Sequence, residues 1–325
     1  MPTKTLDKGL VTVFGGSGFV GRHLVRALLK RGWRVRVAVR RPDLAGHLQP
    51  LGDVGWVQPV QANLRYRWSV DRAVADADAV VNLVAILAEA GKQTFAAVHV
   101  AGARAVAEAT KEAGIGRLVH MSAIGADPAS PSAYARTKAA GEQAVLSTLP
   151  GAIVIRPSIQ FGPEDRFFNR FAGLARVLPG LPLFGGGHTR FQPVYVGDVA
   201  AAIAEAVEGK AKAGTVYELG GPQVKTFRQC LELTLAEIGR RRLLVPVPWW
   251  LATAGAAVAQ LLPKPLLTVD QVRQLAIDNV VSEAALAEGR TLEGLGIDPV
   301  SLAAVLPASL ARFRPRGQFQ RHLAV

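Results

Sequence analysis

The chain has 325 residues, 50% of them hydrophobic and 19% charged, enough to bury a large core as a main domain with a smaller appended region. Its 38 basic against 25 acidic residues give a net charge of +13, an excess compatible with an anionic membrane surface, an acidic protein partner or nucleic acid. A single cysteine, Cys230, excludes an intrachain disulfide and a cysteine metal cluster, and fits a reducing compartment. The opening MPTKTLDKGL has no apolar core and runs at once into a strand, so neither a signal peptide nor a transit peptide is expected.

The first predicted strand, Leu10 to Phe14, leads into GGSGFVG (Gly15 to Gly21) and then into an amphipathic helix, Arg22 to Lys30. Strand, glycine loop and helix in that order form the context of a phosphate-binding turn. Glycine permits the sharp turn and lets the backbone approach a pyrophosphate. Free amides at the helix start, aided by the helix dipole, then face the anion. The candidate cofactor residues here are Gly15, Ser17, Gly18, Phe19, Val20 and Gly21.

A second strand, Arg34 to Val39, ends in Arg40 and Arg41, where a dinucleotide fold that takes NAD carries an acid for the ribose hydroxyls. An arginine fork suits a 2′-phosphate, so NADPH/NADP+ is expected over NAD(H), the alternative being two solvated loop charges. The third strand, around Gly55 to Val60, leads to Asn63 and Leu64, placed to meet an adenine edge. The fourth, Ala79 to Leu83, ends in Asn82-Leu83-Val84-Ala85 at the edge where doubly wound sheets bind ligands, making Val84 and Ala85 candidates. A helix from Phe95 to Ala113 carries His99, a packing histidine ahead of a catalytic one. A fifth strand, Arg117 to Met121, delivers Ser122.

In PSAYARTKAAGEQAV, Tyr134 and Lys138 stand at i and i+4 on one helix face. A tyrosine exchanging a proton at neutral pH needs its pKa of about 10 lowered by about 3, worth roughly 4 kcal/mol. A neighbouring ammonium and a cationic nicotinamide supply charge of the required sign. The candidate catalytic residues are therefore Tyr134, Lys138 and Ser122.

These motifs, GGSGFVG, Asn82-Leu83-Val84, Ser122 and Tyr134-x-x-x-Lys138, resemble the short-chain dehydrogenase/reductase superfamily in its extended and atypical branches. The runs Arg156 to Phe171, Gln192 to Ala200, Pro246 to Ala252 and Leu267 to Asn279 resemble the NADPH-binding accessory subunits of respiratory complex I and their bacterial homologues. The resemblance covers about residues 8–298, with Gly-Pro-Glu-Asp-Arg-Phe at 162–167 its most distinctive piece. It implies tightly held NADPH, a position at the foot of the peripheral arm against the membrane, and no known turnover. It also implies that Tyr134 and Lys138 hydrogen-bond the nicotinamide ribose and that Pro157 and Ser158 close over the nicotinamide end. The hydroxyl that polarises substrate in extended members falls at or beside Ala123, between Ser122 and Ile124, which puts the third catalytic group in doubt.

The expected architecture is a Rossmann-type doubly wound parallel sheet over 1–155, rejoined by 191–210, with a smaller interleaved α/β region over 156–325. Arg166 and Arg170, on a predicted helix with Phe167, Phe168, Asn169 and Phe171, either hold a phosphate or carboxylate or pair with Glu164, Asp165 or a partner. Asp198 is expected to cap a helix Val199 to Glu208. Leu243 to Pro263 carries no charge across 21 residues, but Pro246 and Pro248 cut it. The 14 residues Trp249 to Leu262 then span about 21 Å against a hydrocarbon core of about 30 Å, too short to cross. With tryptophans and flanking arginines the segment 243–267 lies either in the headgroup layer, on a membrane-embedded partner, or in the core of the small region. The tail adds Arg312, Arg314, Arg316 and Arg321 with Phe313 and Phe319, either a second basic cluster for an anionic membrane surface or a solvated tail.

Three functions follow: a cofactor-holding accessory or assembly subunit of complex I or another membrane complex, an active NAD(P)H-dependent reductase, dehydrogenase or epimerase on a quinone precursor or other lipophilic small molecule, and an NADP(H)-sensing regulator without turnover. Nucleic-acid binding is disfavoured, because the basic residues form no recognition motif. The expected location is the cytoplasmic face of a bacterial membrane, or the matrix side in a eukaryote.

Overall fold

Strand β1 (Leu10–Phe14) is buried almost throughout, and so are the strands beside it, β2 (Arg34–Val39) and β4 (Ala79–Asn82). Near-continuous Val and Ala runs of this kind are what a parallel sheet covered on both faces requires. With β3 (Val57–Gln61), β5 (Leu118–Met121), β6 (Ile153–Pro157) and β7 (Val216–Leu219), they form one sheet in the order β7-β6-β5-β4-β1-β2-β3. All six pairings are parallel, with Val11 beside Val35 on one flank and Ala79 on the other. The order reverses between β1 and β4, the switch point where a doubly wound sheet opens a crevice at its carboxyl edge. This is the Rossmann-type sheet anticipated above.

The computed structural model describes residues 8–260 and 267–317. Of these, 8–157, 197–219 and 282–297 form one compact unit and the rest a second.

In the first unit, helix α1 (Phe19–Lys30) starts three residues before the predicted Arg22. The glycine turn is complete at Gly18, so Phe19 and Val20 already belong to the helix. Helix α2 (Arg67–Val74) follows β3. The predicted helix Phe95 to Ala113 is not uniform, because a π-helical stretch, Ala96–Ala101, precedes α3 (Gly102–Glu112). Helix α4 (Ala133–Thr148) begins where Ser132 accepts a hydrogen bond from the Ala135 amide at 3.3 Å. The helix Val196–Val207 starts ahead of Asp198, which therefore lies in its first turn rather than at its cap, where a carboxylate still complements the dipole.

The second unit packs a phenylalanine cluster of Phe161, Phe168, Phe171, Phe191 and Phe227 against Leu302, Leu306 and Leu310. Its helix Phe168–Val177 excludes Arg166 and Phe167, which precede it in the loop. Leu243–Val247 is a strand paired with Gly180–Phe184, ahead of the helix, which starts at Trp249 as expected. The helix Trp249–Ala259 buries only Ala252 and Ala256 and leaves Trp250 72%, Leu251 47% and Val258 69% exposed. The predicted continuation to Leu262 falls partly outside the described residues, as do Arg321 and Phe319. Among the described residues no helix is long and apolar enough to cross a membrane.

Candidate functional site

The first unit gathers its candidates around the carboxyl ends of β1, β4 and β5. Gly15 takes a φ of +78°, a left-handed conformation that costs a side-chain-bearing residue energy. A Cβ on Gly21 would stand 2.5 Å from backbone atoms of Gly15 and Gly16, so α1 can pack on the loop only through a glycine. Gly18, in contrast, is exposed and has only the Gly15 carbonyl near its missing Cβ. No side chain caps α1, and its first amides remain available. The loop therefore has the openness and the donors that a pyrophosphate needs, with Ser17, Phe19 and Val20 beside it.

Beyond β2 the two arginines separate. Arg41 is bound to Asp43, Nη2 to Oδ2 at 2.6 Å, while exposed Arg40 makes no hydrogen bond or ion pair with another described residue. Of the predicted fork, one guanidinium stands ready. Asn63 Oδ1 accepts the Arg65 amide at 3.2 Å, and Leu64 packs on the core, so Asn63 organises the loop as well as edging the site. Val84 and Ala85 follow β4, held by Asn82, whose Oδ1 accepts the Val84 amide at 3.1 Å. Buried Asn82 is a residue the sequence reading placed without a role. It also meets His120 Nδ1 at 3.3 Å through Nδ2, and only tertiary pairing of β4 with β5 brings those two together.

The Tyr134 and Lys138 face is present on α4, but with different electrostatics from those expected. Lys138 is fully buried and donates from Nζ to the Met121 carbonyl at 2.7 Å. Burial pulls its pKa down to about 8, against the attraction of Glu142 one turn on. Burial pushes the Tyr134 phenol up to about 12, the reverse of the lowering that the i, i+4 spacing implied. A buried neutral phenol resists ionisation more than one ammonium, itself oriented to a carbonyl, can offset.

His99, anticipated as a packing residue, is buried and touches Tyr134 edge-on, ring centroids 5.2 Å apart, while stacking on Phe95. Its Nε2 accepts the Ile86 amide at 3.1 Å, which places the ring proton on Nδ1, 3.1 Å from Thr137 Oγ1. Burial and then the Lys138 charge pull its pKa down to about 3, so it is neutral. No local pattern in the sequence announces this contact, which needs the packing of the π-helical stretch on α4. Ser122 Oγ is buried without a hydrogen-bond partner among the described residues. Ser122 follows Met121, whose carbonyl accepts from Lys138, so this unpartnered hydroxyl stands next to the residue that anchors the lysine.

Two candidates lie elsewhere in their interactions. Pro157 closes β6 and is buried. Ser158, in the second unit, donates its hydroxyl to Asn279, at 2.7 Å to Oδ1 and 2.9 Å to the carbonyl, so its side chain is engaged in holding the chain around Asn279.

Comparison with known proteins agrees with this geometry. A model of the NAD dependent epimerase/dehydratase family matches residues 11–220. A subunit of mitochondrial complex I from Arabidopsis thaliana, NADH dehydrogenase [ubiquinone] 1 alpha subcomplex subunit 9, is 39% identical over 85% of this chain and 72% of its own. The NADH-ubiquinone oxidoreductase 40 kDa subunit of Neurospora crassa is 32% identical over 90% of this chain and 76% of its own. The dTDP-glucose 4,6-dehydratase DesIV of Streptomyces venezuelae, solved with NAD bound, superposes with a TM-score of 0.72 at 21% identity, over 94% of this chain and 96% of that one.

Proposed function

The chain belongs to the NAD dependent epimerase/dehydratase family, an NAD(P)-binding fold, and from that premise we propose that it holds NADP(H) as an accessory or assembly subunit of respiratory complex I. The observation that carries the reading is likeness to complex I subunits along 85–90% of the chain. In this reading the α1 amides and the open Gly18 hold the pyrophosphate, Arg40 holds the 2′-phosphate that distinguishes NADPH from NADH, and Tyr134 and Lys138 hold the nicotinamide ribose. When bound, the cofactor would supply a hydride donor. The residues around it bury Ser122 and fix the Tyr134 ring through His99, with Lys138 turned to the Met121 carbonyl.

Exposed Trp250, Leu251 and Val258 on one helix, with Leu243 also exposed on the strand before it, support a peripheral position on a membrane or membrane-embedded partner. The flanking Arg240, Arg241 and Arg242 favour an anionic surface.

A second reading, a reductase acting on a lipophilic substrate, is favoured by one observation: the orphaned Ser122 hydroxyl lies in the unit that also carries Tyr134 and Lys138. One experiment separates the two. Nucleotide is released from the purified protein and identified, and its absorbance in the native protein is followed with added quinones, beside native-gel tests for co-migration with complex I. Stoichiometric NADPH that stays reduced, with co-migration, is the expected result. Repeated oxidation would make the protein a reductase, and absence from the complex would sink the accessory role.

A further inference from the structure

The motif Gly162 to Phe167, the most distinctive run in the chain, plays no part in the dinucleotide site. Its carboxylate, Asp165, is buried, and it does not pair with Arg166 or Arg170 through any recorded ion pair. Instead it accepts hydrogen bonds from the amides of Gly162, Phe167 and Asn169 and from Asn169 Nδ2 at 2.9 Å. That last bond, with a second from Nδ2 to the Gly162 carbonyl at 3.2 Å, fixes which way the Asn169 amide faces. Its Oδ1 is left to accept from Arg312 Nη2, at 2.9 Å. The Arg312 guanidinium also lies 5.0 Å from the Phe313 ring centroid. A buried carboxylate thus orients an amide, and the amide orients an arginine.

Arg312 lines a cleft of about 820 Å³ in the second unit, together with Tyr195 and with Pro163, whose carbonyl accepts from Arg312 Nη2 at 3.4 Å. Arg316 lines the same cleft and makes no hydrogen bond or ion pair with another described residue. Arg314, between them in sequence, is different: it donates to the Glu237 and Pro307 carbonyls. Among the described residues that line the cleft there is no carboxylate to set against the two guanidinium charges. The remaining wall is apolar and small, with Ala304 and Ala308 one turn apart on the helix Leu302–Ser309 and Val305 beside them.

We propose that this cleft is a binding site for a phosphorylated amphiphile, its phosphate held by Arg312 and Arg316 and its hydrocarbon part lying along Ala304, Val305 and Ala308. Guanidinium groups match phosphate oxygens in pairs, and a lysine in either place would not. The volume lies within the range of ligand pockets, roughly 300–1,000 Å³, far more than a free phosphate fills. A phospholipid or a soluble isoprenoid phosphate presents this same chemistry. The proposal does not depend on the dinucleotide reading, whose glycine loop, Arg40, Tyr134 and Lys138 lie in the other unit.

The test is calorimetric titration of the purified full-length protein with dihexanoyl phosphatidate, farnesyl diphosphate and inorganic phosphate. One of the two amphiphiles should bind at least about tenfold more tightly than inorganic phosphate, and the tighter of the two names the source. Arg316→Ala should weaken that binding by roughly tenfold to a hundredfold, the range of a hydrogen bond to a charged group, and Arg312→Ala by as much. Arg316 is exposed and without a protein partner, so its variant keeps the fold and decides the matter if Arg312→Ala does not. Ala308→Leu should weaken the amphiphile and leave inorganic phosphate unchanged. Wild-type affinity in Arg316→Ala, phosphate binding as tightly as both amphiphiles, or no binding of any probe would overturn the proposal, with nucleotide content and Tm unchanged as the control for folding.

Discussion

The Tyr134 face of the first unit and the Arg312 cleft of the second use buried polar groups to opposite ends. Around Tyr134 the charges are drawn inward and quenched: Lys138 is turned to a carbonyl, His99 and His120 are neutral, and Tyr134 keeps its proton. Around Arg312 a buried carboxylate holds a cation outward to the solvent. The same expense of burying an ionisable group gives a rigid neutral face in one case and a presented charge in the other. The outcome depends on whether the network ends on backbone or on a side chain at the surface.

The comparison is broken most forcefully by acid. His99 has a pKa of about 3 and His120 one well below the usual 6.5, so the unfolded chain takes up protons that the folded chain refuses. Both folded values are depressed for a base, so stability falls as pH drops below 6.5. Between pH 7 and pH 5 the loss is about 2 kcal/mol for His99, and His120 adds a loss of the same sign. Urea unfolding at the two pH values measures it, and His99→Gln should remove about 2 kcal/mol of the difference. An unchanged slope in that variant would mean His99 is protonated in the fold.

Gly21→Ala should cost about 2 to 3 kcal/mol, because the new Cβ meets backbone rather than a side chain able to move, and bound nucleotide should be lost with it. Thermal melting and nucleotide content read this together. Arg40→Ala should weaken NADPH by about tenfold or more with NADH unaffected, since a guanidinium to a 2′-phosphate is a charge-assisted contact. Equal loss of both nucleotides removes Arg40 from the 2′-phosphate. The smallest effect has the opposite sign. Ser122→Ala should raise the Tm of nucleotide-free protein, by about 1 kcal/mol of stability, because it deletes a buried hydroxyl with no partner. A lower Tm would show that water or the chain satisfies that hydroxyl.

Much of this was legible along the chain. The strand runs, the glycine loop and the i, i+4 pair on α4 are local patterns, and local patterns survive translation into structure because period and turn chemistry set them. Boundaries were less legible. Asp198 reads as a cap by residue type, yet the helix begins earlier, at Val196. The uncharged run from Leu243 reads as cut by Pro246 and Pro248 ahead of a helix from Trp249, but the strand before the cut was not legible, because it needs Gly180–Phe184 as an edge to pair with. The Asp165, Asn169 and Arg312 relay was out of reach, since its ends are 147 residues apart and no spacing rule joins them.

By itself the sequence determined the fold class, the phosphate-binding turn and the placing of Tyr134 and Lys138 on one face, because each follows from neighbours within a turn or a strand. Tertiary structure decided the charge states and the free valences: which arginine is paired, which hydroxyl is orphaned, which way a lysine points. Those depend on desolvation and on partners brought together from distant parts of the chain, and both are properties of the packed molecule rather than of any stretch of it.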